Sequence, residues 1–87
     1  MALCKRRTSG NLVANYHKIG NISLFGQELI CCLDSYASEE ARHNEIESFH
    51  EYYRFIITLA EEEAMGIRQL GYTKIKTLPD WADAEDC

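Results

Sequence analysis

Apolar and polar residues alternate along the first half of the chain, and this pattern predicts two strands. Over residues 12–25 the alternation suits a strand with a bulge or turn at residues 20–21, where a glycine and an asparagine interrupt it. Residues 26–27 then offer a tight turn into residues 29–36, whose nearly unbroken apolar centre is typical of a strand buried on both faces. We therefore predict an antiparallel hairpin here.

The middle of the chain has two alternative interpretations. Residues 38–51 are strongly polar and predict a loop or an exposed helical turn, followed by a third strand over residues 52–59, where apolar side chains recur at every second position. The alternative is one long helix from Glu39 to about Leu70. Apolar residues also recur there at spacings of three and four, and Ser48 with Glu51 resembles a capping box.

A helix is predicted to begin after Thr58. Thr58 and Glu61 form a capping-box pattern, and further acids follow in the first turn, where the helix dipole favours them. Gly71 is expected to weaken or divide this helix, and Pro79 ends it. One apolar stripe would be buried, formed by Ala64, Ile67, Leu70, Ile75 and Leu78.

These elements predict a single α+β domain over residues 11–87, preceded by a polar lead-in over residues 1–10. The expected architecture is a small antiparallel sheet of about three strands with a C-terminal helix packed on one face. The alternative is a hairpin with long helices. With 87 residues the chain has room for one core of modest stability, and association with other protein would bury further surface.

Charge narrows the classes of partner. The net charge is −5, with four basic and no acidic residues over residues 1–27, and five basic and fourteen acidic residues over residues 28–87. An acidic body repels phosphate backbones, which disfavours nucleic acid as a partner. The longest apolar stretches are far shorter than the roughly 18 residues of a membrane span, and the N-terminus lacks the apolar segment of a secretory signal. We expect a chain made in the cytoplasm, with no membrane partner.

Residues with reactive side chains form no pattern that indicates an active site. His43 and His50 lie with acids in one polar segment, but at no metal-ligand spacing, and no phosphate-binding glycine loop is present. Cys31 and Cys32 lie in the most apolar run and are predicted to be small core residues on opposite faces of a strand, whereas Cys4 and Cys87 lie near the ends. We predict no enzyme activity, no catalytic or metal site, no cofactor and no small-molecule substrate.

Aromatic residues offer the best candidates for a binding surface. A domain with one thin core leaves some aromatic side chains exposed, and tyrosine and tryptophan commonly anchor protein interfaces. We name Tyr52, Tyr53 and Trp81 as the candidate interface.

Three motifs resemble a loose group of short proteins encoded among the virion and tail genes of tailed bacteriophages and prophages. These are N-Y-H-K-I at residues 15–19, S-Y at 35–36 leading to A-R at 41–42, and L-P-D-W-A-D-A-E-D at 78–86. Members of the group open with N-Y-H-R-I and close with K-T-L-P-E-F-x-x-A-E-D. This chain departs from them at Lys18, at Trp81 and in its glutamate-rich middle.

The resemblance implies a minor structural component of the phage particle, at the tail tip, the baseplate or elsewhere in the virion. Its partners would be other virion proteins or copies of itself. The alternative hypothesis, from a different class, is a small acidic inhibitor or adaptor that binds a host protein, for instance in a basic cleft.

Overall fold

The computed structural model describes residues 2–87, which form an antiparallel sheet with three short helices. The strands are β1 (Leu3–Ser9), β2 (Leu12–Phe25), β3 (Glu28–Tyr36), β4 (Phe49–Ile56) and β5 (Glu85–Asp86). The helices are α1 (Glu39–His43), α2 (Leu59–Ala64) and α3 (Ile67–Ile75), and a 3₁₀ helix covers Pro79–Trp81. The strand order is β4-β3-β2-β1-β5, and all pairs are antiparallel.

The class is α+β, but the predicted architecture of about three strands with a C-terminal helix is wrong. The sheet has five strands, and the helices that follow β4 contain six and nine residues. The alternative with long helices is also wrong, since residues 49–56 form strand β4. Thr58 and Glu61 do form the predicted capping box. The helix after it ends at Ala64, so the break lies before Gly66 and not at Gly71.

The predicted hairpin is confirmed as β2 and β3. Their register shifts between Ile19 and Asn21, where the bulge was expected, so that Ile19 and Ile22 both face the core. Gly26 in the connecting turn has a φ of +60°, a conformation that glycine adopts without steric cost. The hairpin could be predicted because the alternation of apolar residues and the residues of the turn are both local signals in the sequence.

One face of the sheet, which we call the inner face, carries the core. Helix α3 packs on it so closely that a Cβ atom added at Gly71 would lie 2.9 Å from the δ-methyl groups of Ile19 and Ile22. Gly71 is buried in the middle of α3, so its role is close approach to the sheet. The fully buried core side chains include Leu3, Leu29, Cys31, Leu33, Ile57, Leu70, Tyr72, Ile75 and Trp81.

Helix α3 also completes the hydrogen bonding of β2 where β1 stops. Strand β1 pairs with β2 no further than His17. Beyond it, the backbone N–H of Ile19 donates to the Tyr72 hydroxyl at 2.8 Å, and the Arg68 guanidinium donates to the Ile19 carbonyl. Both backbone groups of a buried residue are thereby satisfied by side chains.

The two ends of the chain meet at the β1 edge. Strand β1 occupies most of the segment for which a polar lead-in was predicted, and β5 pairs with it through two residues. Cys4 and Cys87 form a disulfide across this junction, a pairing that no spacing motif in the sequence marks. Among residues 2–87, no helix has the length and apolar character that a bilayer crossing requires.

Candidate functional site

The outer side of the sheet holds a surface of exposed and half-buried side chains that we call the open face. It is formed by alternate residues of β2, β3 and β4, which register places in rows across the three strands. Its members are Asn21, Ser23, Phe25, Glu28, Ile30, Cys32, Tyr52, Arg54 and Ile56.

Three large apolar side chains are exposed on the open face. The exposed fractions are 68 % for Phe25, 67 % for Tyr52 and 74 % for Ile56, so no described part of the chain covers them. Glu28 lies between Phe25 and Ile56 in one row and pairs with Arg54 at 3.7 Å. The charges of the open face therefore sum to zero, although the chain as a whole is acidic.

An unpaired sheet edge adjoins the open face. Strand β4 is the last strand on its side, so its outer edge presents backbone N–H and C=O groups without strand partners. Such an edge can accept a further strand from another protein. The open face and this edge together form a surface suited to protein contact.

The three residues predicted for the interface are separated by the fold. Tyr52 lies on the open face, whereas Tyr53 points to the inner face and is half-buried, and Trp81 is fully buried. The Trp81 indole N–H donates to the Tyr53 hydroxyl at 2.9 Å. Trp81 therefore has no exposed surface to offer a partner, and Tyr52 is the only one of the three that lies on the open face.

Trp81 is the centre of a buried polar cluster. The Arg7 guanidinium lies 4.5 Å from the centre of its ring and donates to the Tyr53 hydroxyl at 3.1 Å. Arg7 also forms an ion pair with Glu51, with 3.2 Å between Nη1 and Oε1. This Oε1 atom is buried and accepts no hydrogen bond from residues 2–87, so the ion pair offsets the cost of burying it. This cation–π contact and ion pair join β1 and β4 to the C-terminal segment.

His17 and Ser35 form a pair that resembles a catalytic base and nucleophile. The Ser35 Oγ and His17 Nδ1 atoms are 2.7 Å apart, and His17 Nε2 lies 2.7 Å from the carbonyl oxygen of Lys5. The carbonyl accepts only, so Nε2 carries the proton and the Ser35 hydroxyl donates to Nδ1. Both side chains are fully buried, and burial lowers the pKa of His17. The pair therefore links β2 to its neighbours and presents no nucleophile to solvent.

The remaining candidate groups are dispersed or buried. His43 pairs with Glu39 and His50 with Glu47, and nowhere in residues 2–87 do three metal-binding side chains come together. Cys31 lies in the core, where burial raises the pKa of its thiol to about 11. Cys32 is half-buried on the open face, so the two cysteines do point to opposite faces, but only Cys31 is a core residue.

Comparison with family models, with curated proteins and with solved structures found no match to this chain.

Proposed function

We propose that this chain is a minor assembly protein of a tailed-phage particle, which binds an apolar surface of a neighbouring virion protein through its open face. The observation that carries the proposal is the exposure of Phe25, Tyr52 and Ile56 on one uncovered side of the sheet. The motif resemblance at residues 15–19 and 78–86 supports the virion setting. The proposal assigns no reaction to the chain.

The charge of the open face determines the chemistry of the partner. Glu28 and Arg54 neutralise each other, so the face carries none of the excess negative charge of the chain. A partner need not be basic, and burial of apolar area supplies the binding free energy. Fully burying a large apolar side chain is worth about 1.5–3 kcal/mol, so three such residues provide a central anchor for the contact.

The disulfide is compatible with this setting. Disulfides persist in oxidising surroundings, and a released phage particle is exposed to such surroundings even when its proteins were made in a bacterial cytoplasm. A bond between Cys4 and Cys87 would then form or become permanent outside the cell.

Incorporation into particles tests the proposal. Mass spectrometry of purified particles should detect the wild-type chain at a fixed ratio to the major virion proteins, and retention should survive high salt. Phe25→Ser and Ile56→Ser should abolish incorporation. Leu12→Ser and Leu59→Ser are matched controls, because these leucines are exposed but lie off the open face, and both variants should be incorporated normally.

Two other results would contradict the proposal in different ways. Absence of the expressed wild-type chain from particles would refute the virion role. It would favour the acidic inhibitor, whose binding to a basic host protein should weaken steeply with salt. Self-association of the isolated chain that is lost in Phe25→Ser would show that the open face binds a second copy and not another virion protein.

A further inference from the structure

A cleft lined by basic residues adjoins the part of β2 that precedes the bulge, whereas the open face begins after the bulge. Its volume is about 470 Å³, and its lining includes Lys18, Arg42 and Arg68 together with Asp34 and Tyr36. Lys18 comes from β2, Arg42 from α1 and Arg68 from the first turn of α3. Three elements distant in sequence therefore bring their positive charges to one place.

These three cations differ from most others in the chain because no carboxylate oxygen of residues 2–87 lies within 4.0 Å of them. Five of the nine basic residues lie within 4.0 Å of a carboxylate oxygen. The other four are Arg6, Lys18, Arg42 and Arg68, and all but Arg6 line the cleft. In a chain with fourteen acids, such a cluster of unneutralised cations indicates a site for an anion.

The balance of charge indicates which kind of anion. Three cations and Asp34 leave a surplus of two positive charges, which matches a phosphate monoester with a charge of about −1.5 to −2 at neutral pH better than a carboxylate. Guanidinium groups also bind phosphate oxygens in a bidentate manner. Glu47 approaches Asp34, where burial and the neighbouring carboxyl raise its pKa, and its carboxylate pairs with His50 at 3.3 Å and not with a cation of the cleft.

A second, smaller cleft extends the first. It has a volume of about 300 Å³, shares Lys18 and Arg68 with the basic cleft, and continues along Gln69 and Tyr72. The two clefts together have room for a phosphate group and an attached ring. We infer that the cleft formed by Lys18, Arg42 and Arg68 binds the phosphate group of a small phosphomonoester, whose organic part lies beside Tyr72. This inference is independent of the function proposed for the open face.

Titration of the full-length chain with phenyl phosphate, inorganic phosphate and benzoate at constant ionic strength tests the inference. Isothermal calorimetry should show saturable binding of phenyl phosphate, weaker binding of inorganic phosphate and the weakest binding of benzoate. Amide chemical shifts should change around Gly20 and Tyr36. Lys18→Gln and Arg42→Gln should each weaken phenyl phosphate binding by about tenfold or more, because each removes a charged contact.

The control is Arg6→Gln, which removes an unneutralised cation outside the cleft and should leave binding unchanged. Arg68→Gln is a poor test, since this side chain also donates to the Ile19 carbonyl. Within residues 2–87, Lys18 and Arg42 donate to no backbone carbonyl, and Arg42 meets only the exposed ring of the adjacent His43, at 3.5 Å. Trp81 fluorescence verifies that their variants are folded. The inference is overturned by any of three results: no saturable phosphate binding, an equal loss in Arg6→Gln, or benzoate binding as tight as that of phenyl phosphate.

Discussion

Breaking the bond between Cys4 and Cys87 should cost the protein a large part of its stability. The bond closes a loop with a sequence separation of 83 residues, nearly the whole chain. In the chain-entropy treatment, a loop of that length restricts the unfolded state by about 4.6 kcal/mol at 25 °C. A domain of this size is stable by roughly 4–13 kcal/mol in total, so the reduced protein should lose at least about a third of its stability.

The loss should be largest at the C-terminal end. Strand β5 pairs with β1 through only two residues, and the chain between it and α3 holds Trp81 in the core. Without the disulfide, this segment is retained by the Trp81 contacts and by surface interactions such as the 2.6 Å ion pair of Lys5 with Asp83. Exposed ion pairs contribute at most about 1 kcal/mol.

Urea unfolding followed by fluorescence measures the effect, because Trp81 is the only tryptophan. The reduced wild-type protein and a Cys4→Ser, Cys87→Ser variant should both lose about 4–5 kcal/mol, and reductant should not affect the variant further. Cys32→Ser is the matched control, since that thiol lies outside the disulfide and should leave the response to reductant unchanged. A difference below about 1 kcal/mol between oxidised and reduced protein would refute the argument from loop closure.

Three further predictions concern the core. Gly71→Ala should lower the free energy of unfolding by about 1 kcal/mol, because overpacking against two isoleucines costs about 1–3 kcal/mol and the higher helix propensity of alanine offsets up to about 1 kcal/mol of that. The control is Gly66→Ala, which has open space around it and should be nearly neutral in urea unfolding. Tyr53→Phe should cost about 1–3 kcal/mol, because the Trp81 N–H loses its acceptor; a neutral effect in thermal unfolding would contradict this. Burial lowers the pKa of His17, so below pH 6.5 the unfolded chain binds a proton at His17 that the folded chain does not. The free energy of unfolding should therefore decrease by up to about 1.4 kcal/mol for each unit by which the pH is lowered. Urea midpoints measured from pH 7.5 to 5.5 should show this slope, and His17→Gln should flatten it.

Local signals predicted the parts of the fold that local chemistry determines. Strands β2 and β3 follow from alternation and from Gly26, and the start of α2 follows from Thr58 and Glu61. Strand β1 was missed because residues 1–10 are largely polar. What makes that segment a strand is pairing with β2 and β5 and the bond to Cys87, and these partners lie elsewhere in the chain.

The candidate sites depend on tertiary structure to a greater degree. Trp81 was a reasonable interface candidate from its residue type, but Arg7 and Tyr53, distant in sequence, enclose it. Tyr52 and Tyr53 differ only in the direction of the strand pleat, and their register with β3 decides which is exposed. The basic cleft has no sequence signature. Its cations come from three elements that are distant in sequence, and only the folded structure shows that they have no close carboxylate partner.

The net charge of the chain still bears on what the basic cleft selects. A charge of −5 repels every anion at long range, and this repulsion grows with the number of phosphates, whereas the cleft offers only three cations, Lys18, Arg42 and Arg68. A small phosphomonoester loses little by repulsion and gains all three contacts. A nucleic acid gains the same three contacts but brings many further phosphates against an acidic surface. We therefore expect the same acidity to favour small phosphorylated molecules over nucleic acid as ligands of the proposed site.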